Sequence, residues 1–202
     1  MVKRAYLFIG IDIHDEKGMA EYIENAPKIL DRIGAQVLAV DSDAELLDGQ
    51  YKRQRMVLIA FPSLEVARTF WNSSEYKPLK ELRERSSDQD AVLIEGFDEQ
   101  PWPAPGESPV FLIGGSDAHN PEGMKPYYTG VPPISVRYGV QVLAAGTSFD
   151  TLDGRWPHGQ YITLRFPSEA AFKKFWSDPD YLPYKKLRED CCNGMHMMVR
   201  GF

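Results

Sequence analysis

Apolar and polar residues alternate with period two along Tyr6-Leu7-Phe8-Ile9-Gly10-Ile11-Asp12-Ile13-His14, the spacing that sends successive side chains to opposite faces of a strand. Leu7, Ile9, Ile11 and Ile13 form one aliphatic face, while Tyr6, Phe8, Gly10, Asp12 and His14 form a second that runs from aromatic to ionisable. The stretch Phe111-Leu112-Ile113-Gly114-Gly115-Ser116-Asp117-Ala118-His119 has the same character. A face carrying both rings and charges is expected to wall a cavity rather than meet bulk water. Met19, Tyr22, Ile23, Ala26, Leu30 and Ile33 then recur at helical spacing, with Gly34 at the left-handed cap. Met124, Tyr127, Tyr128, Val131 and Tyr138 precede Gly139 in the same manner. Pro27 and Pro132 fall inside these helices and are expected to kink or interrupt them. Strands follow over 36–40 and 141–145, and Asp48-Gly49 and Asp153-Gly154 read as turns before strands 55–61 and 160–166. Ser63 and Ser168 have the character of N-caps for helices carrying Phe70-Trp71 and Phe175-Trp176. A further turn or helix bears Tyr76, Leu79 and Leu82, or Tyr181, Tyr184 and Leu187, before last strands over 92–95 and 197–200.

The two series are copies. Gly18-Met19 returns as Gly123-Met124, Asp48-Gly49 as Asp153-Gly154, Phe61-Pro62-Ser63 as Phe166-Pro167-Ser168 and Gly96-Phe97 as Gly201-Phe202, always at an offset of 105 (123 − 18, 154 − 49, 201 − 96). The organisation is a first repeat over 1–97, a proline-rich spacer over 98–108 with Trp102 expected to dock between the halves, and a second repeat over 109–202. Each repeat reads strand, helix, strand, strand, helix, strand, which is the ferredoxin-like βαββαβ order of an α+β fold, with both helices on one face of an antiparallel sheet. The other face needs cover, so the two sheets are expected to pack face to face as an intramolecular α/β barrel.

The first strand, the Gly-Met helix start, Arg32-Ile33-Gly34 and Arg137-Tyr138-Gly139, the Asp-Gly turn followed by Tyr51 or Trp156, Phe-Pro-Ser and Phe-Trp…Tyr…Pro…Leu-Arg together resemble the family called domain of unknown function 1330. The resemblance covers both repeats. It implies the dimeric α/β-barrel superfamily, in which cofactor-free monooxygenases, lactone isomerases, polyketide cyclases and haem enzymes occur, and it implies no particular activity.

With 29 acidic against 23 basic residues and a net charge of −6, the chain lacks the basic footprint that nucleic acid or an anionic membrane surface requires. No apolar run is long enough to span a bilayer. Cys191 and Cys192 are adjacent, a poor geometry for a staple, and Ser86-Ser87 stand at the matching place; both are expected to be reduced thiols of a cytoplasmic protein. Glycine-rich phosphate loops, zinc-spaced Cys/His clusters and nucleophile elbows are absent from the sequence, so neither a metal nor a cofactor is expected. One lumen histidine would nevertheless suffice as a haem ligand.

The two repeats differ on the faces expected to line the lumen. Met56, Leu58 and Ala60 stand against Tyr161, Thr163 and Arg165; Ala91, Leu93 and Glu95 stand against His196, Met198 and Arg200, with Val92, Ile94, Met197 and Val199 expected to meet the helices. The leading reading is a small-molecule enzyme that moves a proton next to a carbonyl, as in isomerisation or cyclisation. His119 or His196 would be its base, Asp117 the orienter, and Arg165 or Arg200 the oxyanion stabiliser. Tyr161, Thr163, Arg200, Asp12, His14 and Glu95 would contact the substrate. The rival is a non-catalytic ligand-binding or structural protein whose Asp-x-His pairs cap helices and whose arginines sit in plain ion pairs; a haem-binding protein is the third. His158 receives no role, and the fused unit could assemble further into a homo-oligomer.

Overall fold

The computed structural model describes residues 3–97 and 108–202, so the expected spacer, Trp102 included, lies outside the described residues except for Ser108. The first repeat forms β1 (Ala5–Ile13), α1 (Glu16–Arg32), β2 (Gln36–Asp41), β3 (Glu45–Asp48), β4 (Arg55–Phe61), α2 (Leu64–Trp71), α3 (Lys77–Ser86) and β5 (Ser87–Glu95). The second forms β6 (Val110–Ala118), α4 (Lys125–Val136), β7 (Gln141–Gly146), β8 (Phe149–Asp153), β9 (Gln160–Phe166), α5 (Glu169–Trp176), α6 (Leu182–Cys191) and β10 (Cys192–Arg200).

Local chemistry accounts for the boundaries. Ser63 Oγ accepts from Val66 N at 3.1 Å and Ser168 Oγ from Ala171 N at 3.2 Å, each satisfying an orphan donor of its helix. The prolines do not interrupt the first helix of either repeat: α1 runs through Pro27, and α4 through Pro132 and Pro133. A mid-helix proline costs about 3 kcal/mol. In α1 the burial of Met19, Ile29 and Leu30, at about 1.5–3 kcal/mol each, outweighs that.

The chain forms two compact units. In the first, the sheet order is β2-β4-β1-β5-β8; in the second it is β3-β10-β6-β9-β7. Four strands of each sheet have the ferredoxin-like order, and every neighbouring pair is antiparallel. The fifth strand comes from the other repeat: β8 pairs with β5, and β3 pairs with β10. The compact units therefore differ from the contiguous repeats by one exchanged strand each. The sheets do not close into a barrel; β2 and β8 are the edges of one, β3 and β7 of the other.

The helix side of each sheet carries the core. In the first unit Leu7, Ile9, Ile11, Ile59 and Phe61 pack with Ala26, Leu30, Phe70 and Tyr76; in the second Val110, Leu112 and Phe166 pack with Phe172, Phe175 and Tyr181. The β1, β4, β6 and β9 faces follow the expected alternation. The last strand of each repeat is inverted. Leu93 lies opposite Leu7 and Ala91 opposite Ile9, so they share the helix face, and Glu95, opposite Ala5, shares it too. In β10, His196, Met198 and Arg200 lie opposite Gly114, Leu112 and Val110 and face the helices. Residues directly opposed in an antiparallel pair share a face, which leaves no freedom in this assignment.

Candidate functional site

The second unit contains a cavity of about 590 Å³ whose walls include Asp48, Ser116, His158, Arg188, Cys192 and His196. Three elements bring its ionisable groups together. Asp48 ends the exchanged strand β3, Arg188 comes from α6, and His196 from β10. Asp48 Oδ1 stands 2.7 Å from His196 Nδ1, and its Oδ2 accepts from Arg188 Nη2 at 2.5 Å. Gly49 follows with φ of +73°, and a Cβ there would lie 2.2 Å from the Gly194 carbonyl oxygen. Only glycine allows both the left-handed turn and this close approach.

Burial disfavours a charge on His196 and outweighs the pull of Asp48, while Arg188 pushes in the same direction, so the imidazole lies below its ordinary range and is neutral at neutral pH. Burial also opposes charge on Asp48. The His196 hydrogen bond and the charge of Arg188 overcome it and hold the carboxyl below the usual carboxylate range. A neutral imidazole beside an ionised carboxylate places its proton on Nδ1, which leaves a lone pair on Nε2. No described residue makes a hydrogen bond to Nε2. The ring lies over Gly114, where an added Cβ would come 2.5 Å from Cδ2 and 3.0 Å from Nε2.

A second acid–imidazole pair stands at the same cavity. His158 Nδ1 lies 2.8 Å from Asp117 Oδ2, and the Asp117 carboxyl is held low first by the Gly159 backbone N–H at 2.7 Å and then, against burial, by His158. Cys192 also lines the wall; burial and the neighbouring Cys191 push its thiol up, so it is a thiol rather than a nucleophilic thiolate.

The first unit has the same frame without the chemistry. At the offset of 105, Arg188 corresponds to Arg83 and Asp48 to Asp153, and Arg83 Nη2 stands 3.4 Å from Asp153 Oδ2. His196 corresponds to Ala91, Gly194 to Gln89 and Ser116 to Ile11. Gln89 Nε2 reaches Asp153 Oδ2 at 2.5 Å, occupying the place the second unit leaves open.

The remaining candidates are dispersed. His119 is exposed, with Nε2 at 3.2 Å from the Asp190 carbonyl oxygen, and does not pair with Asp117. Asp12 pairs with Arg53 at 3.2 Å and accepts from Gln54 N at 2.7 Å, and His14 is exposed with its backbone N–H donating to Ser86 O. Glu95 pairs with Lys3 at 3.8 Å near the surface. Tyr161, Thr163 and Arg165 do share the face away from the helices, all buried. There Thr163 Oγ1 donates to Tyr161 at 2.6 Å and Arg165 Nη1 donates to Gln141 at 2.8 Å; burial raises the Tyr161 phenol well above its ordinary range. Arg200, on the other face, pairs with Glu169 at 3.0 Å. Of the ten candidates only His196 lines the cavity, and Asp117 supports it from behind His158. Asp48, Arg188 and His158 were missed. The sequence signals for them were that Asp48-Gly49 and Leu187-Arg188 recur as Asp153-Gly154 and Leu82-Arg83, while His158 replaces Arg53.

Among the described residues no group of three or more His, Cys, Asp or Glu stands placed to hold a metal ion, and no helix is long and apolar enough to cross a membrane. The family model Domain of unknown function (DUF1330) matches residues 4–97 and again 109–202. No curated protein matches the chain. Solved structures share its fold across nearly its whole length. A Lactobacillus acidophilus protein provisionally assigned as a monooxygenase is 13% identical, with 98% of this chain and 94% of that one covered and a TM-score of 0.54. An anthrone oxidase-like protein is 12% identical over 99% and 92%, with a TM-score of 0.54. A mutant chlorite dismutase from Candidatus Nitrospira defluvii is 9% identical over 100% and 92%, with a TM-score of 0.60. At these identities the likeness is one of fold.

Proposed function

The chain belongs to the family Domain of unknown function (DUF1330), which brings no activity with it, and we propose that its second unit is a cofactor-independent site for proton transfer next to a carbonyl. The observation that carries this reading is the Asp48–His196 pair at 2.7 Å on the wall of a cavity, with Nε2 unclaimed by any described residue. His196 takes the proton from the carbon beside a carbonyl. The bonding pair moves to the carbonyl oxygen, and the enolate collapses when the imidazolium returns the proton to the same or a neighbouring carbon. Asp48 fixes the tautomer and stabilises the transient imidazolium, and Arg188 holds Asp48 ionised. The Gln50 and Asn193 amides on the wall can donate to the enolate oxygen. This replaces Asp117 by Asp48 as orienter and leaves Arg165 and Arg200 outside the reaction. The substrate class is a small polar carbonyl compound, because the Arg188 charge is already matched by Asp48. The two thiols, free of a disulfide, suit a reducing, cytoplasmic setting.

The test is solvent exchange. Small 1,3-dicarbonyl compounds and β-keto esters in D₂O, followed by proton NMR, should lose their α-proton signal faster with the protein than without it. His196→Gln should slow that exchange by about 10²–10⁴-fold, the usual worth of a general base. Equal exchange by wild type and H196Q, or no acceleration across the panel, contradicts the proposal. The second outcome would favour a binding protein.

A further inference from the structure

The first unit has its own cavity, of different chemistry, under α1. It measures about 210 Å³, and its walls are Ile9, Ile11, Met19, Ala26, Leu30 and Ile59 among other apolar residues, together with Tyr22, Arg55 and Arg83. An apolar cavity of roughly 150 Å³ in a protein core already accepts benzene. Two further observations separate this space from a simple packing defect. Arg83 is fully buried, yet its Nε has no hydrogen-bond partner, although buried donors are almost always satisfied. The rim carries Ile23 and Val40, large apolar side chains that are 50% and 46% exposed.

We infer that the first unit binds a small, neutral, mostly apolar molecule carrying one hydrogen-bond acceptor, a ketone or ester, whose oxygen accepts from Arg83. Neutrality follows from the charges on the wall. The buried Arg83 guanidinium already faces Asp153 at 3.4 Å and the Tyr76 hydroxyl at 2.7 Å, and the half-buried Arg55 is turned to the exposed Ser42 Oγ at 3.0 Å, so a carboxylate in the apolar interior would find the buried counter-charge taken. The molecule's apolar body covers the Ile and Leu side chains, and its single oxygen meets the unmatched Nε of Arg83. The second repeat lacks this apolar lining, because Gly114, Ser116 and Ser135 stand where the first has Ile9, Ile11 and Leu30.

Three isosteric probes test the assignment: acetophenone, ethylbenzene and benzoate, titrated into the full chain labelled at isoleucine, leucine and methionine methyls. Acetophenone should shift the Ile9, Ile11, Met19 and Leu30 methyls and bind at least tenfold more tightly than ethylbenzene, with benzoate weaker still. Ala26→Leu should fill the cavity and abolish those shifts while His196→Gln leaves them intact. If A26L does not fold, Val37→Phe narrows the same space from β2. Equal affinity for ethylbenzene, preference for benzoate, or shifts confined to the second unit would each overturn the inference.

Discussion

At the scale of residues, the Asp48–His196 hydrogen bond carries the proton transfer proposed for the second unit. His196 is held below its ordinary value of 6.5 and Asp48 below 3.8, so the rate of proton transfer should be flat above neutrality and fall only below pH 6.5. Stability should follow the same side. Between the lowered folded value of His196 and 6.5 the unfolded chain binds the extra proton, so stability declines as pH falls below about 6.5. The Asp48 contribution is fully present above its unfolded value and is lost as pH drops through the lower folded one. Removing the imidazole in H196Q should flatten the first part of that decline in urea melts; an unchanged profile would show that His196 is not held neutral. Asp48→Asn frees the ring to take the wrong tautomer and should cost more in turnover than in affinity for the carbonyl probe. Gly114→Ala should also impair exchange, because its Cβ intrudes on the ring, although it removes no reacting atom. His196 itself was legible as a polar residue on a strand that reads as apolar in the first repeat. Its partner was not, because Asp48 lies 148 positions away on a strand whose destination nothing local specifies.

At the scale of elements, alternation was readable wherever one face is apolar and the other is not. β1 and β9 meet that condition, and β4 and β6 were read through their matches to β9 and β1 in the other repeat. The last strands do not, because Ala91, Val92, Leu93 and Ile94 are all buried and periodicity has no sign when both faces are apolar. Only the register to β1 settles which side each one takes. The exchanged strands escaped notice for a related reason: β3 spans Glu45–Asp48 with a single side chain, Leu47, packed on the core, too short a pattern to read. The glycine after each exchanged strand carries more weight than the strand. Gly49→Ala should cost roughly 1–3 kcal/mol from the left-handed backbone alone, and more from the clash with Gly194, measured as a lowered midpoint in urea. Ser63→Ala and Ser168→Ala should each cost about 1 kcal/mol, the usual worth of a cap. A change below the noise of the melt would mean the helix starts are held by packing instead.

At the scale of the whole molecule, duplication has let two copies of one fold diverge. Both keep the buried arginine and the aspartate that the other repeat supplies. One has added an imidazole and small residues around a polar cavity; the other has kept glutamine, isoleucine and an apolar one. The exchange also bears on assembly. A fragment of residues 3–97 retains β2-β4-β1-β5 but has neither a partner for the β5 edge nor a sheet for β3. Two fragments can satisfy each other by the same reciprocal exchange, which is a common route to dimers. Light scattering should therefore give the fragment twice its monomer mass, and a stable monomer at micromolar concentration would contradict the pairing of β3 with β10 as a structural requirement. Its dependence on long-range pairing is also why the repeat was plain in the sequence while the exchange was not.

Proton transfer in the second unit depends most directly on the protonation of one ring. Nitrogen-15 NMR of the His196 imidazole at pH 7 should report a neutral ring, with the proton on Nδ1 and a bare Nε2, that takes up a second proton only below pH 6.5. A doubly protonated ring at pH 7, or a proton on Nε2 with Nδ1 bare, would contradict it.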